Sequence, residues 1–169
     1  MLLFTVVTSN KTKEFNSAFS DTVKKHSDLV YRICFLYMKN KTDAEDAYQD
    51  TFLKLYTSDI DLNNDTHVKA WLITVAGNVC KNSLKKAKLR THEELNEEIC
   101  GMIDDTTQKD VVTAVMELPE IYRQIIYLYY YEGYSTAEIA KLESCKEATV
   151  RTRLARGREL LKQALSSYL

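Results

Sequence analysis

Glycine and proline are nearly missing. Four glycines and one proline, Pro119, serve 169 residues. Sheets draw heavily on both residue types for their tight turns, so the scarcity argues for helices. Cysteine is sparse and scattered. Cys34, Cys80, Cys100 and Cys145 form no C-x-x-C pair, which argues against a disulfide framework or a zinc site. His26, His67 and His92 have no metal-binding or triad spacing and read as surface or partly buried helix residues. No long apolar run opens the chain. "MLLFTVVTSNK" is apolar over only seven residues and lacks a basic start, too short for a signal peptide or a membrane span. A cytoplasmic chain without membrane insertion is expected. Gly-rich phosphate loops, metal clusters and nucleophile–base pairs are also lacking. No catalytic residue, metal ligand or cofactor is therefore expected, and an enzyme is the least favoured class.

Hydrophobic residues make up 45% and charged residues 28%, the balance of a globular chain. The formal net charge of −1 hides a pattern. Between His67 and His92 the charged residues are Lys69, Lys81, Lys85, Lys86, Lys88 and Arg90, with no acid among them. The sign then reverses through Glu93, Glu94, Glu97, Glu98, Asp104, Asp105 and Asp110, against Lys109 alone. A second basic cluster follows near the C-terminus. Two nucleic-acid-facing units with an acidic connector account for this order. The expected architecture is all-α: two small helical domains, residues 12–90 and 110–169, joined by a flexible acidic linker over 91–109.

The C-terminal unit carries the sharper signal. Ser135-Thr136-Ala137-Glu138 has the spacing of a capping box, and Ser144-Cys145-Lys146-Glu147 repeats it. Between them fits one short helix, "TAEIAKL", then a tight turn and a long second helix reaching toward Leu165. That is a helix-turn-helix layout. At 100° per residue, Val150, Leu154, Gly157 and Leu161 share an inward face. Ala148, Thr149, Thr152, Ala155 and Arg156 lie opposite. Arg151 and Arg158 flank one side, Lys146 and Arg153 the other. Small residues permit close approach to a major groove, Arg suits guanine edges, and marginal cations suit phosphates. Upstream, a supporting helix starts near Pro119, with Ile121, Ile125, Leu128 and Tyr129 at helical spacing and Gly133 at its end. The Tyr129–Tyr131 run reads as core and rim packing.

In the N-terminal unit, Thr42-Asp43-Ala44-Glu45 is a third capping-box pattern and opens "DAEDAYQDTFLKLY". Ala44, Ala47, Tyr48, Thr51, Phe52 and Leu55 form its inward stripe. Asp46, Gln49 and Asp50 surround Leu53 on the opposite face, the pattern of a protein-contact centre or of an ordinary exposed leucine. A second helix, Thr66 to Lys88, buries Leu72, Val75, Ala76, Val79 and Ser83. It leaves Thr74, Gly77, Asn78, Lys81, Lys85 and Lys88 on a polar, acid-free face. Trp71 beside the apolar stripe reads as core. The loop "TSDIDLNNDTH" precedes this helix and carries the short amides Asn63 and Asn64.

Three segments then resemble one family in order and spacing: "DAEDAYQDTFLKLY", "KAWLITVAGNVCKNSLKK" and "ELPEIYRQIIYLYYYEGYSTAEIAKLESCKEATVRTRLARGREL". They are similar to bacterial sigma-70 factors of the extracytoplasmic-function group, over roughly Phe15 to Leu165. The resemblance implies a dissociable subunit that gives RNA polymerase core its promoter specificity. Domain 2 would dock the clamp helices of core through Asp46, Gln49, Asp50 and Leu53. It would capture the unpaired −10 strand through Asn63, Asn64, Lys69, Thr74, Asn78, Lys81 and Lys85. Domain 4 would bind the −35 duplex through Lys146, Thr149, Arg151, Thr152, Arg153, Ala155 and Arg156, and would touch the flap. An anti-sigma factor is a family-level expectation. Two departures stand out: Gly77 replaces the usual arginine before Asn78, and Ala148 replaces the usual glycine before Thr149.

Linker geometry agrees. Residues 91–109 can extend to roughly 65 Å, and a spacer of about 17 base pairs measures roughly 58 Å. The alternative is a stand-alone helix-turn-helix regulator of duplex DNA, which leaves the acid-free face of the Thr66–Lys88 helix without a role. An all-helical adaptor is a third reading, and salt-independent behaviour toward DNA would mark it.

Overall fold

A computed structural model describes residues 2–88 and 113–166, with side chains from residue 13. The acidic connector of residues 91–109 lies outside the described residues. Three helices form the N-terminal unit: α1 (Leu2–Met38), α2 (Lys41–Tyr56) and α3 (Asp65–Lys88). The C-terminal unit has a helical turn at 113–117, then α4 (Glu120–Tyr130), α5 (Thr136–Leu142) and α6 (Glu147–Ser166). No helix among the described residues is long and apolar enough to cross a membrane.

Helix borders follow local chemistry. Lys39, at φ 60°, ends α1, and Asn40 caps α2 with its side-chain oxygen accepting from Asp43 N at 2.8 Å. The expected Thr42–Glu45 box therefore does not form. A capping amide two residues earlier takes the orphan N–H, and Thr42 lies inside the helix. The α3 cap is Asn64, whose Oδ1 accepts from His67 N at 3.1 Å. Pro119 stands one residue before the first helical position of α4. Gly133, at φ 74°, turns the chain after α4, and Tyr134 N–H returns to the Leu128 carbonyl at 2.9 Å.

The stripe on α2 is as read: Ala44, Ala47, Thr51, Phe52 and Leu55 are buried and Tyr48 half-buried. The reading of α3 needs correction. Ser83 is exposed, whereas Ile73, Gly77 and Cys80 are buried beside Leu72, Ala76 and Val79. A single-stripe reading assumes one neighbour, but α3 packs against α1, α2 and α5. The reading of α4 also shifts. Ile125 and Leu128 are buried, but Ile121 and Tyr129 are exposed, and Arg123, Gln124 and Ile126 are buried in their place. Tyr130 and Tyr131 are exposed rather than packed in the core.

The two units share one core. Leu29, Ile33 and Tyr37 of α1 and Leu72 and Ile73 of α3 belong to the same buried cluster as Ile125 and Leu128 of α4 and Ile139 of α5. His26 of α1 is buried and bonds through Nε2 to Asp65 Oδ1 at 2.9 Å, tying α1 to the first turn of α3. Lys25 Nζ reaches the same oxygen at 2.8 Å. Lys25 and then His26 hold the Asp65 carboxyl below its usual range.

Candidate nucleic-acid interface

The helix-turn-helix is built by α5 and α6. Ser135 caps α5 reciprocally with Glu138: Ser135 Oγ accepts from Glu138 N, and Ser135 N donates to Glu138 Oε2 at 2.8 Å. The Ser135 hydroxyl and N–H both hold the Glu138 carboxyl below its usual range. The second expected box is absent. Ser144 is the turn residue itself, at φ 50°, and so cannot cap α6. Glu147 instead accepts from Thr136 Oγ1 at 2.6 Å and from Arg151 Nη2 at 2.8 Å. That strap fixes the start of α6 against the start of α5, and Thr136 first, then Arg151, lowers the Glu147 pKa.

Beneath α6, Val150, Leu154 and Gly157 are buried, as the periodicity requires. Gly157 lets α6 approach α4: a Cβ there would lie 3.1 Å from Ile126 Cγ1 and 3.2 Å from Ile126 Cδ1. The outer face presents Ala148, Thr152, Ala155 and Arg156 to solvent, with Thr149 half-buried. Lys146, Arg151 and Arg158 are exposed and Arg153 is half-buried. Arg156 Nη1 lies 2.5 Å from Glu159 Oε2, and Arg151 pairs with Glu147 on its own helix. Both guanidiniums are exposed, while Glu147 is half-buried and Glu159 exposed. The expected −35 residues thus share one face or its margin.

The α3 face divides in two. Asn78 and Lys85 are exposed. Lys69, Thr74 and Lys81 meet the C-terminal unit. Lys69 Nζ lies 2.9 Å from Glu132 Oε2 and 5.4 Å from the Tyr134 ring centre. Burial works against the Lys69 ammonium, but Glu132 keeps its pKa above the ordinary value. Thr74 Oγ1 shares its proton between the Ala70 carbonyl of its own helix at 3.1 Å and the Leu142 carbonyl at 3.3 Å. Lys81 Nζ lies 2.8 Å from Glu143 Oε2. In the loop before α3, the side-chain amide and backbone N–H of Asn63 both donate to Asp61 Oδ1. Asn64 is committed to its cap, so these two amides are not equivalent.

The α2 face is open. Asp46, Gln49 and Asp50 are exposed, and Leu53 is 60% exposed in their midst. Leu53 is the most exposed large aliphatic residue among those described. Sequence reasoning missed Tyr37, Gln124, Glu132 and Glu143, the residues that join the units. Single acids at the two turns of the C-terminal unit carried no signal of their partners across the chain. Among the described residues no cluster of ligands suits a metal ion.

Comparison with known proteins falls on the same two units. Sigma-70 region 2 matches residues 22–90, and Sigma-70, region 4 matches residues 108–161. The chain is 30% identical over 152 residues to the ECF RNA polymerase sigma factor SigM of Mycobacterium tuberculosis, covering 88% of this chain and 77% of that one. It is 30% identical over 160 residues to the RNA polymerase sigma factor SigV of Bacillus subtilis, covering 92% and 96%. The SigW factor of Bacillus subtilis is 27% identical over 168 residues, with 88% and 89% covered. In fold, the chain is similar to the sigma factor RpoE of Bartonella quintana, solved with the anti-sigma factor NepR, at TM-score 0.74 and 20% identity over 88% of this chain and 96% of that one. Two domains in this order, matched over nearly the whole chain, place this protein in the extracytoplasmic-function group of sigma-70 factors, which direct transcription initiation by RNA polymerase on promoter DNA.

Proposed function

We propose a division of labour among three faces of this sigma factor. The α2 face docks RNA polymerase core, with Leu53 as the apolar centre and Asp46, Gln49 and Asp50 as its polar rim. The α3 face takes the unpaired −10 strand, Asn78 and the Asn63 loop reading bases while Lys69, Lys81 and Lys85 hold the backbone. The α6 face enters the −35 major groove, with Arg156 and Arg151 toward base edges and Lys146 and Arg153 toward phosphates. Residues 12–90 and 110–169 act as the two domains, and 91–109 spans the promoter spacer between them. The setting is the cytoplasm, where promoter DNA and polymerase are. By analogy with the RpoE–NepR pair, an anti-sigma factor is a natural antagonist.

The observation that carries this reading is the pairing of two unlike surfaces in one chain. The α6 face is small, cationic and open, as a duplex reader must be, while α3 offers amides and lysines without an acid of its own beyond the first turn. A duplex-only regulator needs the first and has no use for the second. The test is permanganate reactivity of promoter thymines with core polymerase added. Lys85→Ala should weaken melting on every promoter, with a deficit that is largest at low salt and narrows as salt rises, and Asn63→Ala should change the preferred −10 base. Unchanged melting by a folded Asn78→Ala, Lys85→Ala double variant would remove α3 from the reaction.

A further inference from the structure

Arg151 and Arg156 are held in different ways. Arg156 pairs with Glu159, an exposed acid three residues on along the same helix. Arg151 pairs with Glu147, four residues back, and both of its bonds end on one oxygen: Nη2 at 2.8 Å and Nε at 3.3 Å from Oε1. The same oxygen accepts from Thr136 Oγ1 of α5 at 2.6 Å. Glu147 is thus fixed from a second helix. An exposed pair on one helix holds an arginine weakly, because two long side chains must be ordered together. Where Thr136 has already ordered the carboxylate, only the arginine has rotamer freedom left to lose.

The direction of this hold suits a groove. Helical side chains lean toward the N-terminus of their own helix. Arg151 lies back over Glu147, the first residue of α6, and a recognition helix reads base edges with its N-terminal residues. A guanidinium is a rigid planar fork of N–H donors. Glu147 takes its side edge, Nε with one Nη2 hydrogen. The end edge, Nη1 with the other Nη2 hydrogen, is the pair that fits guanine O6 and N7. An arginine ordered in advance loses less freedom when it binds. Glu147 is also the one acid between Ser144 and Arg158. A negative charge in that basic stretch opposes the approach of phosphates, so its place there calls for a compensating role.

We propose that Glu147 is a positioning residue for −35 specificity: anchored by Thr136, it sets Arg151 end-on toward a guanine without touching the base itself. This rests on the assignment of Arg151 to a base edge. Selection at that base pair is shared by two helices, since the hydroxyl that fixes the carboxylate belongs to α5 and the arginine to α6. Arg156, whose partner is exposed on its own helix, is ordered only when it meets DNA.

Promoter binding by the holoenzyme across a library varied within the −35 element tests this, beside a thermal melt of each free variant. Arg151→Ala should flatten a preference for G·C at one base pair several-fold. Glu147→Ala should flatten the same pair several-fold and spare the others. The Arg151→Ala, Glu147→Ala double variant should lose no more there than Arg151→Ala alone. Thr136→Val should act on that pair in the same direction, and Glu147→Gln, which keeps an acceptor oxygen, should retain part of the preference. Glu159→Ala, an equal change of charge, should leave that pair as it is. Full preference at the Arg151 pair in Glu147→Ala would overturn the proposal. So would a lowered melt with uniform weakening at every base pair, the mark of an acid that merely starts α6. If Glu147→Ala melts below the assay temperature, Thr136→Val decides, and an unchanged pair there would overturn the proposal. No flattening by Arg151→Ala itself would take Arg151 off the bases, and the role of Glu147 would go with it.

Discussion

Replacing Arg156 with alanine separates recognition from stability. In the free protein Arg156 is exposed, and its one ion pair is with Glu159 three residues on. Exposed pairs of this kind contribute roughly 0–1 kcal/mol, and alanine is a better helix former than arginine by a few tenths. The two effects nearly cancel, so thermal stability should move little. Bound to DNA, an arginine reading a base edge contributes about 1–3 kcal/mol of discrimination, or roughly 5- to 150-fold in affinity. The assay is promoter binding by the holoenzyme across a library varied within the −35 element, beside a thermal melt of the free variant. Arg156→Ala should flatten preference at one base pair of that element while leaving the melt unchanged. An intact preference in a folded variant would refute the groove assignment. Loss confined to overall affinity, with a shallower salt dependence, would make Arg156 a phosphate contact instead.

Leu53→Asp should leave stability within about 0.5 kcal/mol, because the side chain is largely exposed, and should abolish co-purification with polymerase core; normal co-purification would move the docking face elsewhere. Gly157→Ala sets a helix-propensity gain of about 1 kcal/mol against overpacking of about 1–3 kcal/mol. Because Ile126 is buried and tightly placed, a lowered Tm is expected and a raised one would show that Ile126 can yield. Asn64→Ala should cost about 1 kcal/mol through its lost cap, whereas Asn63→Ala should not; equal melts for the two would deny the cap. Glu138 and Glu147 both sit below the usual carboxylate range in the folded state. Their contribution is therefore present above the unfolded pKa and lost as pH falls through the lowered folded values. Helicity should fall in that acid window less steeply in Glu138→Gln than in wild type, as followed by circular dichroism.

Elements governed by neighbours in sequence were legible. The α5 borders followed from the Ser135–Glu138 cap, the inward face of α6 from its 3.6-residue period, and the exposed position of Leu53 from the stripe opposite it. Caps failed where two residues competed. Asn40 displaced Thr42, and Ser144 was drawn into the left-handed turn that a tight connection needs, leaving Glu147 to find Thr136 instead. The second buried side of α3 was not legible, since Ile73, Gly77 and Cys80 are buried as well as Leu72 and Ala76, in a helix that packs against three others. The seam between units left no trace in either helix's periodicity. Its contacts join residues such as Lys81 and Glu143 whose separation in sequence says nothing about proximity.

Transcript starts show whether this chain gives core polymerase a promoter preference. Purified core polymerase, this chain and fragmented genomic DNA would be combined, and the 5′ ends of the products sequenced. The chain should create new starts that appear only with core present, each downstream of one shared pair of −10 and −35 elements. Starts should vanish with Leu53→Asp and lose their −35 preference with Arg156→Ala. Tight, sequence-selective binding to duplex DNA without core, and no new starts with it, would make the chain a stand-alone duplex regulator instead.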